Sequence, residues 1–254
     1  MKIANKTFVI TGGGSGLGKA TALHLAEQKA NIVLADIDIE AGQEIASELG
    51  KQCIFIPVDV SDPVHSQTAM KIAVEQFGLL NGLINCAGIL VAEKIIKKDG
   101  SLFDLDNFRQ CLNVNLVGSF NMLRLITPFL IDNTADKNGE RGIIINTASI
   151  AAYEGQIGQA AYAASKAGII GMTLPIAREL ANYGIRVITI APGVFETPIM
   201  AEFSEKKRQL LKEQIPFPSR LGYPSEYAAL VQHIIENPML NGEVIRLDGA
   251  MRLS

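Results

Sequence analysis

The 254-residue sequence predicts one α/β domain, a doubly wound parallel sheet of about seven strands with helices on both faces. Three observations predict it. Short apolar runs rich in β-branched residues recur along the chain, as strands buried on both faces require. Helix-length segments separate them almost one by one, and such alternation calls for parallel strands joined by right-handed crossovers. The composition, 48% hydrophobic and 19% charged with a net charge of −3, suits a large soluble core that needs neither disulfide nor metal.

Taken in order, the first strand is expected from Thr7 to Thr11, and a glycine-rich turn leads from it into a helix from Leu17 to Gln28. A second strand, Asn31 to Asp36, precedes a helix from Ile39 to Leu49; a third, Cys53 to Val58, precedes one from Val64 to Phe77. Gly82 to Asn85 is the fourth strand. The rhythm then breaks at Ile89 to Leu105, whose Lys97-Lys98-Asp99-Gly100 reads as a polar turn, and a helix follows from Leu116 to Ile131. The fifth strand, Gly142 to Thr147, is followed by a long helix from Ala160 to Ala181, and the sixth spans Arg186 to Ala191. A second interruption, Pro192 to Gly222, carries a short charged helix from Ser204 to Gln214; a helix from Ser225 to Ile235 and a strand from Glu243 to Leu247 complete the pattern. No repeat or linker divides residues 1–254 into two domains. Ligands bind such sheets at the carboxyl ends of the strands, where both interruptions begin, so residues 89–105 and 192–222 are expected to cover a substrate.

Several classes of function drop out. The slightly acidic balance offers no electrostatic reason for a nucleic-acid partner. Cys53, Cys86 and Cys111 lack CxxC spacing and His24, His65 and His233 are scattered, so no metal site is expected. No unbroken apolar run reaches the ~18 residues of a membrane span, and Met1 leads directly into a strand-like segment; the expectation is a cytoplasmic protein with no membrane partner.

The first strand runs into Gly12-Gly13-Gly14-Ser15-Gly16-Leu17-Gly18 and then a helix. This Rossmann-type context suits a dinucleotide: glycines allow close approach of a pyrophosphate, and helix amides favour its charge. Asp36, at the end of the next strand, can accept both ribose hydroxyls of an adenosine, and its charge repels a 2′-phosphate. No Arg or Lys lies within Gly12–Gly18 to offset it, so NAD(H) is favoured over NADP(H); a helix-capping role for Asp36 is equally compatible with its position. Asp59 and Val60, after the third strand, could receive the adenine amino group.

Tyr162 and Lys166 stand four apart in Tyr-Ala-Ala-Ser-Lys, on one face of a helix. An ammonium beside a phenol favours the phenolate, which makes Tyr162 a candidate general acid and base. Ser149, beyond the fifth strand, could hold a substrate oxygen. Gln156 and Gln159 could donate amide hydrogen bonds to a second carbonyl or cap the helix start.

Together with Asn85-Cys86-Ala87-Gly88, Asn115 and Pro192-Gly193, these motifs resemble the short-chain dehydrogenase/reductase family over essentially the whole chain. The resemblance implies that Tyr162 exchanges a proton with the substrate oxygen, Ser149 orients that oxygen, Lys166 lowers the tyrosine pKa and binds the nicotinamide ribose, and Asn115 holds a water. Cofactor contacts are implied for Gly12, Ser15, Gly16, Leu17, Gly18, Asp36, Asp59, Val60, Asn85, Cys86, Ala87, Gly88, Tyr162, Lys166, Pro192, Gly193, Phe195 and Thr197. Cys86 is read as a small packing residue rather than a nucleophile. Longer strings, among them Glu154-Gly-Gln-Ile-Gly-Gln-Ala-Ala-Tyr162 and Phe217-Pro-Ser-Arg-Leu-Gly222, resemble the short-chain 3-hydroxyacyl-CoA dehydrogenases of that family. That implies an NAD-dependent homotetramer acting on L-3-hydroxyacyl-CoA in fatty acid metabolism, with Ser149, Gln156, Gln159 and Tyr162 at the substrate. Alternatives are a 3-oxoacyl-carrier-protein reductase, a hydroxysteroid or alcohol dehydrogenase and, from another class, a non-catalytic NAD-binding scaffold. Lys94, Lys97, Lys98, Lys206, Lys207 and Arg208 could meet CoA phosphates or be solvated surface charge.

Overall fold

The computed structural model describes residues 1–201 and 203–253. Seven parallel strands, β1 (Thr7–Thr11), β2 (Asn31–Asp36), β3 (Cys53–Pro57), β4 (Gly82–Asn85), β5 (Gly142–Thr147), β6 (Ile185–Pro192) and β7 (Val244–Leu247), form one sheet in the order β3-β2-β1-β4-β5-β6-β7. The strand order reverses between β1 and β4, where Thr11 pairs with Asn85, and a crevice opens at such a point. β1, β4, β5 and β6 are buried on every residue, whereas all four residues of the edge strand β7 are half-buried. Successive side chains point to opposite faces, so Phe8 and Ile10 pack in one core with Leu25, Tyr227 and Val231, while Val9 packs in the other with Met70, Met122 and Ile126.

The helices are α1 (Gly16–Glu27), α2 (Ile39–Leu49), α3 (Pro63–Phe77), α4 (Leu105–Leu112), α5 (Gly118–Ile131), α6 (Ala160–Ala181), α7 (Pro198–Ala201), α8 (Glu205–Glu213) and α9 (Pro224–Glu236). Most lie within two residues of expectation. α3 starts at Pro63 because proline suits the first helical position and the Asp62 carboxylate accepts from the N–H groups of Val64 and His65. Asp38, not Asp36, caps α2 by accepting from Ala41 N at 3.1 Å.

One difference is larger. The helix expected from Leu116 begins at Leu105, where Asp104 caps α4, and passes through a π-helical stretch at Asn113–Val117 into α5. The interruption at residues 89–105 ends where expected, the added helix filling the stretch up to Leu116, and its regular structure is one antiparallel bridge, Ile96 to Leu102. By length and composition the continuous helix Leu105–Ile131 could cross a bilayer, although no unbroken apolar run of that length exists; 44% of its most apolar window is buried. α5 and α3 pack together on one face of the sheet, whereas α1 packs against α9 on the other.

Candidate active site

A cleft of about 500 Å³ lies at the carboxyl ends of the strands. At its nucleotide end, the loop from Gly12 to Gly18 joins β1 to α1. Gly12 has φ +64°, and a Cβ there would lie 2.7 Å from Ala87 N. A Cβ on Gly18 would lie 2.1 Å from the Gly12 carbonyl oxygen, so only glycine permits this loop to pack on α1. Ser15, the residue before α1, caps no amide with its side chain, and no acidic residue occupies the first turn. The first-turn amides and positive helix end therefore face the cleft ready for an anion, which fits a dinucleotide pyrophosphate. Asp36 sits at the rim; its Oδ2 accepts from Gly14 N at 2.8 Å and its Oδ1 from Asp38 N at 3.0 Å. Asp59 is exposed and accepts from Ser61, and Val60 beside it is buried.

At the chemical end, Ser149 leaves β5 in extended conformation (φ −168°) and caps a short 3-10 turn, Ile150–Ala152, by accepting from Ala151 N at 3.1 Å. Its hydroxyl stands near enough to that of Tyr162 on α6 to lower the phenol's pKa. One turn along that helix, the buried Lys166 donates from Nζ to the Thr147 carbonyl at 2.8 Å, with Nζ 5.7 Å from the Tyr162 ring centre. Burial lowers the Lys166 pKa to about 8. Burial also raises that of Tyr162, against the lowering effect of Ser149. The sequence reading expected the opposite direction for the phenol, from the Lys166 ammonium; in this geometry desolvation dominates, and the opposing contribution comes from Ser149.

Of the residues singled out in the sequence, Gly12, Ser15, Gly16, Leu17, Gly18, Asp36, Asp59, Val60, Cys86, Ala87 and Gly88 line the cleft, as do Ser149, Gln156, Gln159, Tyr162, Lys166, Pro192, Gly193, Phe195 and Thr197. Two do not. Asn85 is buried behind the wall, donating from Nδ2 to Asn146 Oδ1 and the Ser119 carbonyl, so its place is structural rather than in contact with a nucleotide. Asn115, in the π-helical stretch, is fully buried; its side chain accepts from Ile89 N at 2.8 Å and donates to the Ile89 carbonyl and Ser165 Oγ. It ties down the start of the 89–105 connection. Gln159 precedes α6 without capping it; its Oε1 accepts from Gln156 N instead. Burial pushes the Cys86 thiol pKa up, and its Sγ lies 3.7 Å from both Thr147 Oγ1 and Tyr227 Oη, in keeping with a packing role.

Sequence reasoning missed Gln110 and Val114, which reach the cleft from α4 and the π-helical stretch, and Leu253, for which no sequence signal existed. Met200, Phe203, Lys207 and Leu211 come from the 192–222 connection that was expected to cover a substrate. Lys207 Nζ stands 3.7 Å from the Phe203 ring centre, while Arg208 pairs with Glu205 and Lys97 with Glu93. Among the described residues no group of three or more His, Cys, Asp or Glu side chains could hold a metal ion.

A sheet that offers a helix N-terminus to a pyrophosphate and, in the same cleft, a serine beside a tyrosine one turn from a buried lysine defines an oxidoreductase that uses a nicotinamide dinucleotide. Residues 6–208 match the family model for short chain dehydrogenases, and the chain belongs to that family. Human 3-hydroxyacyl-CoA dehydrogenase type-2 is 56% identical over 246 residues, which cover 96% of this chain and 94% of the human protein. The crystal structure of 3-hydroxyacyl-CoA dehydrogenase type-2 from Mycobacterium avium is 39% identical and matches with a TM-score of 0.93, covering 100% of this chain and 99% of its own. A 3-ketoacyl-(acyl-carrier-protein) reductase from Brucella melitensis, solved in complex with NADH, matches at 28% identity with a TM-score of 0.87 and 98% coverage of both chains.

Proposed function

We propose that this dehydrogenase interconverts L-3-hydroxyacyl-CoA and 3-oxoacyl-CoA with NAD(H), as a cytoplasmic homotetramer serving fatty acid metabolism. The observation that carries the substrate reading is 56% identity to human 3-hydroxyacyl-CoA dehydrogenase type-2 along nearly the whole chain, with Ser149, Tyr162 and Lys166 gathered in the cleft. Asp36 supports NAD(H): its carboxylate is anchored on the glycine loop, where a 2′-phosphate would meet its charge. The same carboxylate weighs against the carrier-protein reductase reading, a role that commonly draws on NADPH.

The bound nucleotide supplies the hydride acceptor for oxidation and the donor for reduction. In oxidation the Tyr162 hydroxyl oxygen, as phenolate, takes the proton of the substrate alcohol; in reduction it returns that proton to the carbonyl oxygen. Ser149 Oγ, which lines the cleft beside Tyr162, orients the same substrate oxygen. Lys166 holds its place through the Thr147 carbonyl and supplies positive charge beside the forming phenolate. Gln156 and Gln159, which line the cleft, donate to the thioester carbonyl in this reading. The apolar side chains of Met200, Phe203 and Leu211 exclude water from the acyl chain.

Steady-state reduction of acetoacetyl-CoA with NADH and then NADPH, with Tyr162→Phe as control, tests the proposal. Turnover that prefers NADH and is lost in the variant is the expected result. Turnover that prefers NADPH would overturn the cofactor reading, and NADH binding without turnover would overturn the substrate.

A further inference from the structure

The apolar wall beside Ser149 belongs to neither main core. Ile150, Met200, Leu211, Ile215, Leu221 and Met251 form a buried cluster of their own, with Val194, Phe203 and Leu253 packed against it. Residues from three distant parts of the chain therefore meet there, and Leu253 also lines the cleft. The segment 248–253 is held in place by polar groups. Glu154, just past the short turn that Ser149 begins, accepts from Arg246 Nη1 at 2.8 Å and Nη2 at 2.9 Å. The same carboxylate pairs with Arg252, the residue before Leu253, at 3.6 Å. Arg246 completes the clamp by donating to Asp248 Oδ2 at 2.7 Å and to the Met251 carbonyl at 3.0 Å. One carboxylate thus joins β7, the segment 248–253 and the turn after Ser149, and a bidentate pair fixes direction as well as distance. Neither Glu154 nor Arg246 lines the cleft.

We infer that Leu253 sets how long a carbon chain the site accepts beside Ser149, and that Glu154 is the positioning residue that holds it there. An apolar wall discriminates chain length through the space it leaves, and a wall hung on one clamp moves when the clamp opens. The choice of acyl-CoA as probe rests on the proposed function; a set of simple secondary alcohols does not.

The test uses the full chain. The ratio of kcat/KM for 3-oxodecanoyl-CoA to that for acetoacetyl-CoA is measured with NADH, and the ratio for 2-octanol to 2-butanol with NAD, in the wild type and in Leu253→Ala, Leu253→Phe and Glu154→Gln. Thermal unfolding of each is recorded alongside. Leu253→Ala should raise the long-to-short ratio about tenfold and Leu253→Phe should lower it. Glu154→Gln should shift the ratio in the same direction as Leu253→Ala, through KM, with kcat on the short substrate within about twofold of wild type. If the clamp only ties down the sheet edge, Glu154→Gln lowers the unfolding temperature and leaves both ratios unchanged, which overturns the role given to Glu154. Unchanged ratios in both Leu253 variants overturn the inference as a whole. A wild type that oxidises the alcohols but ignores acyl-CoA sinks the proposed substrate while the alcohol ratio still decides this inference; inactivity on both series overturns both.

Discussion

Replacing Lys166 with methionine should abolish turnover and at the same time stabilise the fold at neutral pH. The side chain is 4% exposed, and burial lowers its pKa from 10.5 to about 8. Between those values the unfolded chain binds more protons than the folded one, so the cost of burying the ammonium is fully present below pH 8 and fades as pH rises toward 10.5. The shift corresponds to about 3 kcal/mol at pH 7 and about 1 kcal/mol at pH 9.5. Methionine fills a similar volume but leaves the Thr147 carbonyl without its 2.8 Å partner, a loss of about 1 kcal/mol. The net gain at pH 7 is about 2 kcal/mol, or roughly 4–8 °C in the unfolding midpoint of a chain this size. Unfolding of wild type and variant, followed by heat and by urea across pH 7 to 9.5, measures it. A variant no more stable than wild type at pH 7, or one whose advantage does not shrink with rising pH, would refute the assignment of that cost to the buried ammonium.

Three further outcomes are expected. Asp36→Ser removes the charge anchored on Gly14 and should raise KM for NADH and lower that for NADPH, each by about tenfold or more, in steady-state kinetics with both nucleotides. Gly18→Ala forces a Cβ to 2.1 Å from the Gly12 carbonyl, so the loop must shift; calorimetry should find NADH binding weakened at least about tenfold, alongside a stability loss of about 1–3 kcal/mol. The Glu226 carboxylate, held by Arg220 and by Tyr223 N, has its pKa lowered from 4.5 to about 2. Its stabilising effect is therefore complete above pH 4.5 and lost as pH falls toward 2, and Glu226→Gln should flatten the acid limb of a stability–pH curve in that window.

Local pattern carried much of the architecture. The strands at Thr7–Thr11, Asn31–Asp36, Gly82–Asn85 and Gly142–Thr147 stand where their apolar runs placed them, because a strand buried on both faces must be apolar along its length. The phosphate loop was legible for a similar reason: Gly12 and Gly18 meet backbone atoms too closely for any side chain, so the constraint is written in the residue type. The four-residue spacing of Tyr162 and Lys166 is itself a helix geometry, and it needs no tertiary information to be read. α4 was missed although Leu105, Phe108 and Leu112 stand at the i, i+3, i+7 spacing of one helix face and Asp104 caps it; the segment is only eight residues long and buries one of them, Cys111.

Other features arose only when distant segments met. Asn85 reads as a site residue by its neighbours in sequence, yet its amide is spent on Asn146 and Ser119 behind the wall. Leu253 lines the cleft beside a segment that Glu154 and Arg246 bind at Met251 and Arg252, and nothing near Leu253 in the sequence announces it. The Tyr162 phenol titrates upward because burial outweighs the lowering contribution of Ser149, a balance set by the depth of packing around α6. The sequence by itself determined the strands, the glycine loop and the tyrosine–lysine spacing, whose causes are steric and periodic within a few residues. Tertiary structure alone decided that Gln110, Val114 and Leu253 join the cleft while Asn85 and Asn115 stand behind it, and how its ionisable groups titrate, because desolvation and partner choice depend on what the rest of the chain brings alongside.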